Sequence, residues 1–119
     1  MTEYDLHLSV VKFLRMALGA GAVFFHCPNG GYRRHTEAQR FKAMGVIPGI
    51  PDIGIIWLGK IIWIELKAGK GKESDAQLYC HVRLRSAGSA VTVCRTLQEV
   101  IDVLVDAGVP MRIKVMVAA

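Results

Sequence analysis

The sequence predicts an α/β domain in three layers, with a central mixed β-sheet flanked by helices. Two observations predict it. Short β-rich apolar runs alternate with segments of helical period, and two of those runs, residues 53–57 and 61–66, stand next to each other around Leu58-Gly59-Lys60. Strands that alternate with helices pair in parallel, whereas a hairpin is antiparallel, so the sheet is expected to be mixed.

Thr2 opens a helical pattern over residues 3–18 in which Leu6, Val10, Phe13, Leu14 and Leu18 share one face, and the glycines at 19 and 21 close it. Residues 22–26 read as a buried strand, followed by Cys27-Pro28-Asn29-Gly30-Gly31-Tyr32-Arg33-Arg34, a polar and basic loop. Thr36 with Gln39 has capping-box spacing and predicts a short helix carrying Arg40 and Lys42, which Gly45 ends.

The hairpin comes next and is expected at the centre of the sheet. Ser74 and Gln77 repeat the capping-box spacing and open a helix to about Ala87. Residues 90–94 form another strand, Thr96 and Glu99 start the last helix, and Val100, Val103, Leu104 and Ala107 make its inner face. Residues 111–117 are a candidate terminal strand.

Composition narrows the function. The 119 residues, with no repeat or linker, are expected to form a single domain spanning 1–119. A net charge of +5 and a pI near 9.4 favour a polyanionic partner such as nucleic acid. Half the residues are hydrophobic and mean hydropathy is +0.33, more apolar surface than a small core hides, so a homodimer is expected. Residues 53–66, the richest apolar stretch, are interrupted by Gly59, Lys60 and Glu65, which excludes a membrane span. Three cysteines without CxxC spacing, and an N-terminus without a basic then apolar leader, predict a cytoplasmic, reduced protein.

The second hairpin strand holds the chemistry. Side chains alternate, so Trp63, Glu65 and Lys67 point to one face while Ile62, Ile64 and Leu66 point to the core. Antiparallel pairing carries Asp52 alongside Glu65. Clustered carboxylates need a cation, and a hard divalent ion such as Mg²⁺ prefers one or two of them plus water and phosphate oxygens. Such an ion polarises a phosphodiester and activates water, with a lysine beside it.

Pro51-Asp52, twelve intervening residues and Glu65-Leu66-Lys67 resemble the PD-(D/E)XK nuclease motif. More narrowly, Glu3, His26-Cys27-Pro28-Asn29-Gly30-Gly31, Gly45-Val46 with Gly49-Ile50-Pro51-Asp52, Glu65-Leu66-Lys67, and Ser74 through Gln77 resemble the VRR-NUC family in order and spacing. The resemblance implies a restriction-endonuclease-like fold and a Mg²⁺-dependent deoxyribonuclease in which Mn²⁺ substitutes. It implies that Asp52, Glu65 and the Leu66 carbonyl bind the metal, that Glu3 assists through water, that Lys67 serves the nucleophile, and that Gln77 supports the site or touches phosphate. His7 stands where the family often has glutamine, one helical turn from Glu3, and neither His7 nor His26 receives a role.

DNA contacts are expected from Asn29, Arg33, Arg34, Lys70, Lys72 and Ser74. No recognition helix is evident, so the expected substrate is branched DNA read by shape, with Holliday-junction resolution by a closed dimer as the leading case. A flap or restriction-like nuclease, a non-cutting DNA-binding accessory protein and an RNA-cleaving toxin remain alternatives. His26, Cys27, Cys80 and His81 lack zinc-ligand spacing and are read as packing residues. Gln77, His81 and Arg85 share a helix face that either lines a cleft or meets solvent.

Overall fold

The computed structural model describes residues 1–28 and 35–115. Its elements run α1 (Glu3–Ala17), β1 (Ala22–His26), α2 (His35–Ala43), β2 (Ile53–Trp57), β3 (Lys60–Leu66), α3 (Asp75–Ser86), β4 (Ala90–Cys94) and α4 (Leu97–Asp106). The strands form one sheet in the order β1-β2-β3-β4, antiparallel across the first two pairings and parallel between β3 and β4. The predicted mixed sheet and its element order are present. Among the described residues, no helix is long and apolar enough to cross a membrane.

Local sequence explains the helix ends. The Thr2 hydroxyl accepts from the Asp5 N–H at 3.0 Å while the Asp5 carboxylate accepts from the Thr2 N–H at 3.1 Å, a reciprocal cap that starts α1. These hydrogen bonds hold the Asp5 carboxyl below its usual range. Ser74 and Gln77 form the same box on α3, and Thr96 caps α4. The α2 C-terminus ends as expected: Gly45 N–H donates to Lys42 O and Val46 N–H to Phe41 O, with Gly45 at φ +95°.

One face of the sheet carries the core. Ile53, Ile55, Ile62, Ile64, Leu66 and Cys94 meet Leu6, Val10, Phe13 and Leu14 of α1 and Val100 and Leu104 of α4. On the opposite face α3 packs beside β4, burying Cys80 and His81. Phe25 lies over Gly54 and meets Trp63 edge-on at 5.7 Å, and any Cβ on Gly54 would collide with the Phe25 ring. Gly49, at φ +77°, presses against the Ala76 backbone in the first turn of α3, leaving no room for a side chain.

Four expectations need correction. The hairpin loop has two residues, because Trp57 pairs with Lys60, and both Leu58 and Gly59 take positive φ as this tight turn requires. Strand β1 is not a buried strand: it lies at the sheet edge with Val23 and His26 exposed, since a fully apolar-looking run can sit where only one face is covered. Thr36 lies inside α2, which is already helical at His35, so it does not cap that helix.

The fourth correction is the terminal strand. Residues 111–115 contain only an isolated bridge from Met111 to Leu18, and residues 116–117 lie outside the described residues. This segment seals the end of α1 instead. Arg112 donates through its backbone N–H to Ala17 O and through Nε to Leu18 O, both at 2.7 Å, which satisfies carbonyls that the helix end leaves open.

Candidate metal centre

The hairpin register sets the site. Ile53 pairs with Ile64, so Asp52 stands one step beyond, across from Glu65. The Leu66 N–H donates to Asp52 Oδ2 at 2.8 Å, fixing that carboxylate against the strand. The Asp52 carbonyl is held as well, accepting from the Cys27 N–H at 2.9 Å and lying 2.7 Å from His26 Nδ1. A carbonyl can only accept, so this contact places a proton on His26 Nδ1.

Glu3 arrives from the first turn of α1. One carboxylate oxygen from each of Glu3, Asp52 and Glu65 lies within 4.8 Å of the other two. Among the described residues this is the group of acidic, histidine and cysteine side chains spaced to hold a metal ion. Lys67 Nζ stands 3.9 Å from Glu3 Oε1 and 4.0 Å from Glu65 Oε2. Glu3 is exposed, Asp52 half-buried and Glu65 fully buried, so the cluster grades from solvent into the protein.

Glu65 is held by α3. Gln77 Nε2 donates to Glu65 Oε2 at 3.2 Å, and the same side chain accepts from the Ser74 N–H through Oε1 at 2.8 Å. The other oxygen, Oε1, is buried without a hydrogen-bond partner and faces His81 Nε2 at 3.5 Å, itself unpartnered. Burial first, then the neighbouring Asp52, push the Glu65 carboxyl up to about 9, and Lys67 counters only in part. Burial likewise lowers His81, so neutral imidazole is favoured beside it.

An orphaned buried carboxylate oxygen among three converging acidic groups, one of them pushed strongly towards its neutral form, is a donor set suited to a hard divalent cation. The observed site is more enclosed than the open cleft expected for the Glu65–Lys67 pair. Glu65 is fully buried, with Gln77 and His81 of α3 against it, and Lys67 is 9% exposed between Glu65 and Glu3 of α1.

The structure brings Glu3, Asp52, Glu65, Lys67 and Gln77 together, with the Leu66 amide on Asp52. Lys70, Lys72 and Ser74 are exposed on the segment between β3 and α3. Arg95 pins that segment, donating through Nη1 to Gly69 O at 3.0 Å and Gly71 O at 2.7 Å. Asn29, Arg33 and Arg34 lie outside the described residues.

Three residues were not assigned to the site from sequence. His26 is anchored on Asp52, and His7 meets the His26 ring edge-on at 4.5 Å. Burial and the adjacent His26 lower the His7 pKa. The face carrying Gln77, His81 and Arg85 turns to the sheet: His81 is 2% exposed, and Arg85 donates to Val91 O at 2.9 Å. The i, i+4 spacing gave the shared face but not its direction.

No family model matches the chain, and neither does any curated protein sequence. Solved structures do share its fold. One named "VRR_NUC domain protein" is 24% identical and aligns with a TM-score of 0.69, covering 87% of this chain and 85% of the other. Another, named "VRR_NUC domain", is 22% identical with a TM-score of 0.57, covering 89% of this chain and 97% of the other. The α/β fold is therefore the fold of VRR_NUC domain structures.

Proposed function

We propose that this protein is a nuclease of the VRR-NUC type, a divalent-metal-dependent enzyme that hydrolyses phosphodiester bonds in DNA. The observation that carries the reading is the convergence of Glu3, Asp52 and Glu65 around the Lys67 ammonium, with one Glu65 oxygen buried and unpartnered.

Asp52, Glu65 and the Leu66 carbonyl would hold Mg²⁺, or Mn²⁺ in its place, with Glu3 reaching it through water from the exposed side. When bound, the ion supplies a Lewis acid for the phosphodiester and lowers the pKa of the attacking water. Lys67 orients that water by donation and sets positive charge beside the scissile phosphate. Gln77 keeps Glu65 in place. Lys70, Lys72 and Ser74, with Asn29, Arg33 and Arg34, take neighbouring phosphates.

The expected substrate is branched DNA, cut by a homodimer in the cytoplasm, with the four-way junction as the leading case. Exposed Leu78, Tyr79 and Val82 on α3 supply apolar surface of the kind that dimers bury. A substrate panel of four-way junction, flap, splayed arm, linear duplex and single strand, in Mg²⁺, Mn²⁺ and EDTA, tests the reading. Symmetric nicking of the junction, lost in EDTA and in Asp52→Ala, is the expected result. Binding in Ca²⁺ without cutting of any substrate would favour the accessory-protein alternative, and a monomer by light scattering at micromolar concentration would remove the dimeric resolvase.

A further inference from the structure

The carboxylate cluster stands at one end of a groove of about 1010 Å³ between α1 and β1. From the α1 side Tyr4, Leu8, Val11 and Arg15 line it, and from β1 Phe24 and His26 do. Tyr4 is 70% exposed and Leu8 48% exposed, so this apolar wall faces solvent although the opposite stripe of α1 is fully buried. Helical rise puts Arg15 about 18 Å beyond Glu3 along the same wall.

We propose that this groove carries a single-stranded DNA arm away from the metal centre, with bases against Tyr4 and Phe24 and a phosphate on Arg15. The proposal rests on the nuclease reading, and because a four-way junction has no single-stranded arm it selects the flap and splayed arm among the branched substrates of that reading.

Chemistry selects the occupant. A duplex presents two charged backbones and would need cations along both walls, yet among the described residues Arg15 and Lys67 are the lysine and arginine residues lining the groove. A single strand exposes the π-faces of its bases, which aromatic side chains hold without reading sequence, and it needs few cations to track its one backbone. The distance also fits: at roughly 3.4 Å per stacked nucleotide, the span from Glu3 to Arg15 accommodates about five. Continuity with the carboxylate cluster supplies the direction, since a strand entering the centre has this groove as a path out.

The test is fluorescence anisotropy in Ca²⁺ with duplexes carrying 5′ or 3′ single-stranded tails of zero, two, five and ten nucleotides. Affinity is expected to rise with tail length for one polarity and to level off near five. Tyr4→Ala should weaken tailed DNA about fivefold or more while leaving blunt duplex the same. Arg15→Ala should reduce the slope of log affinity against log salt by about 0.7 on tailed DNA alone. Lys60→Ala, at the exposed start of β3, is the control and should treat tailed and blunt DNA alike. Circular dichroism melts of both groove variants establish that they fold.

Affinity independent of tail length, or equal losses on tailed and blunt duplex, would overturn the groove assignment even if the protein cleaves DNA. Tail-dependent binding that both variants abolish, with no cleavage in Mg²⁺ or Mn²⁺, would support the groove and overturn the nuclease reading. Absence of any DNA binding would overturn both.

Discussion

Gln77 touches Glu65 and Ser74 with opposite ends of one amide: Nε2 donates to Glu65 Oε2 at 3.2 Å, and Oε1 accepts from the Ser74 N–H at 2.8 Å. The residue that closes the N-terminal cap of α3 therefore also aims a carboxylate of the proposed metal centre. The two tasks separate by substitution. Gln77→Glu keeps an acceptor for the cap but places an acid against Glu65, so cleavage should fall about tenfold or more while the cap persists. Gln77→Ala should lose both, with a stability cost of about 1 kcal/mol. Steady-state kinetics and thermal melts in Mg²⁺ on the two variants check this; equal melting losses in both would break the assignment.

Metal should act as a folding ligand. Glu3, Asp52 and Glu65 crowd like charges that a divalent cation relieves. Saturation at about 100 times the dissociation constant contributes about 2.7 kcal/mol to stability. Differential scanning fluorimetry should therefore show a rise in melting temperature with Mg²⁺, Mn²⁺ or Ca²⁺ over EDTA. Asp52→Asn and Glu65→Gln should abolish most of that rise, and Glu65→Gln should raise the EDTA value itself, because the amide is neutral already in the unfolded chain whereas the Glu65 carboxyl must take up a proton to be buried near neutral pH.

Much of this arrangement was legible in local sequence, and the remainder depended on packing. The alternation that turns Ile62, Ile64 and Leu66 to the core and Glu65 to the other face follows from the period of a strand, and the structure keeps it. The Ser74 and Gln77 box likewise needs only spacing. What spacing cannot express is which layer lies over a face. The burial of Glu65, the turn of His81 towards it and the second bond of Gln77 all depend on α3 settling over β3. Gly49 pressed against Ala76 helps set that approach. The edge position of β1 and the use of residues 111–112 to seal α1 are also tertiary choices, made among segments whose local signals suit several outcomes. Pairing of His26 with the Asp52 carbonyl joins residues 26 positions apart, beyond any local pattern.

Stability should fall with rising pH in metal-free protein. The Glu65 carboxyl is pushed from 4.5 to about 9, so the folded state binds its proton more tightly than the unfolded chain. Its stabilising share is complete below about pH 4.5 and is lost as pH rises through about 9. His81 works in the opposite sense, because its lowered pKa gives a share present above the ordinary histidine value and lost as pH falls. The Glu65 slope is therefore read from about pH 7 to 9, where unfolded histidine is already neutral. Melting temperature in EDTA should decline across that window in the wild type and stay flatter in Glu65→Gln. A wild-type slope that the variant reproduces would assign the effect to another group.

Arg95 offers a test of how the basic segment is held. Its guanidinium donates to Gly69 O and Gly71 O, while its backbone N–H donates to Glu99 Oε1 at 3.0 Å on α4. Through this side chain the segment bearing Lys70 and Lys72 is fastened to the end of β4. Those lysines are exposed and can take phosphates only at the entropic cost of ordering their loop. Arg95→Ala removes the fastening and leaves both charges, so DNA affinity should drop without a matching loss in the salt slope, since the number of contacted phosphates stays the same. Lys70→Ala should do the reverse and lower the slope by about one. Amide hydrogen exchange should report the same event locally, with faster exchange at Gly71, whose N–H donates to Ala68 O at 3.0 Å, and no change in the α1 core. Unaltered exchange at Gly71 in Arg95→Ala would mean that the loop is ordered by its own turn, and that Arg95 contributes only charge.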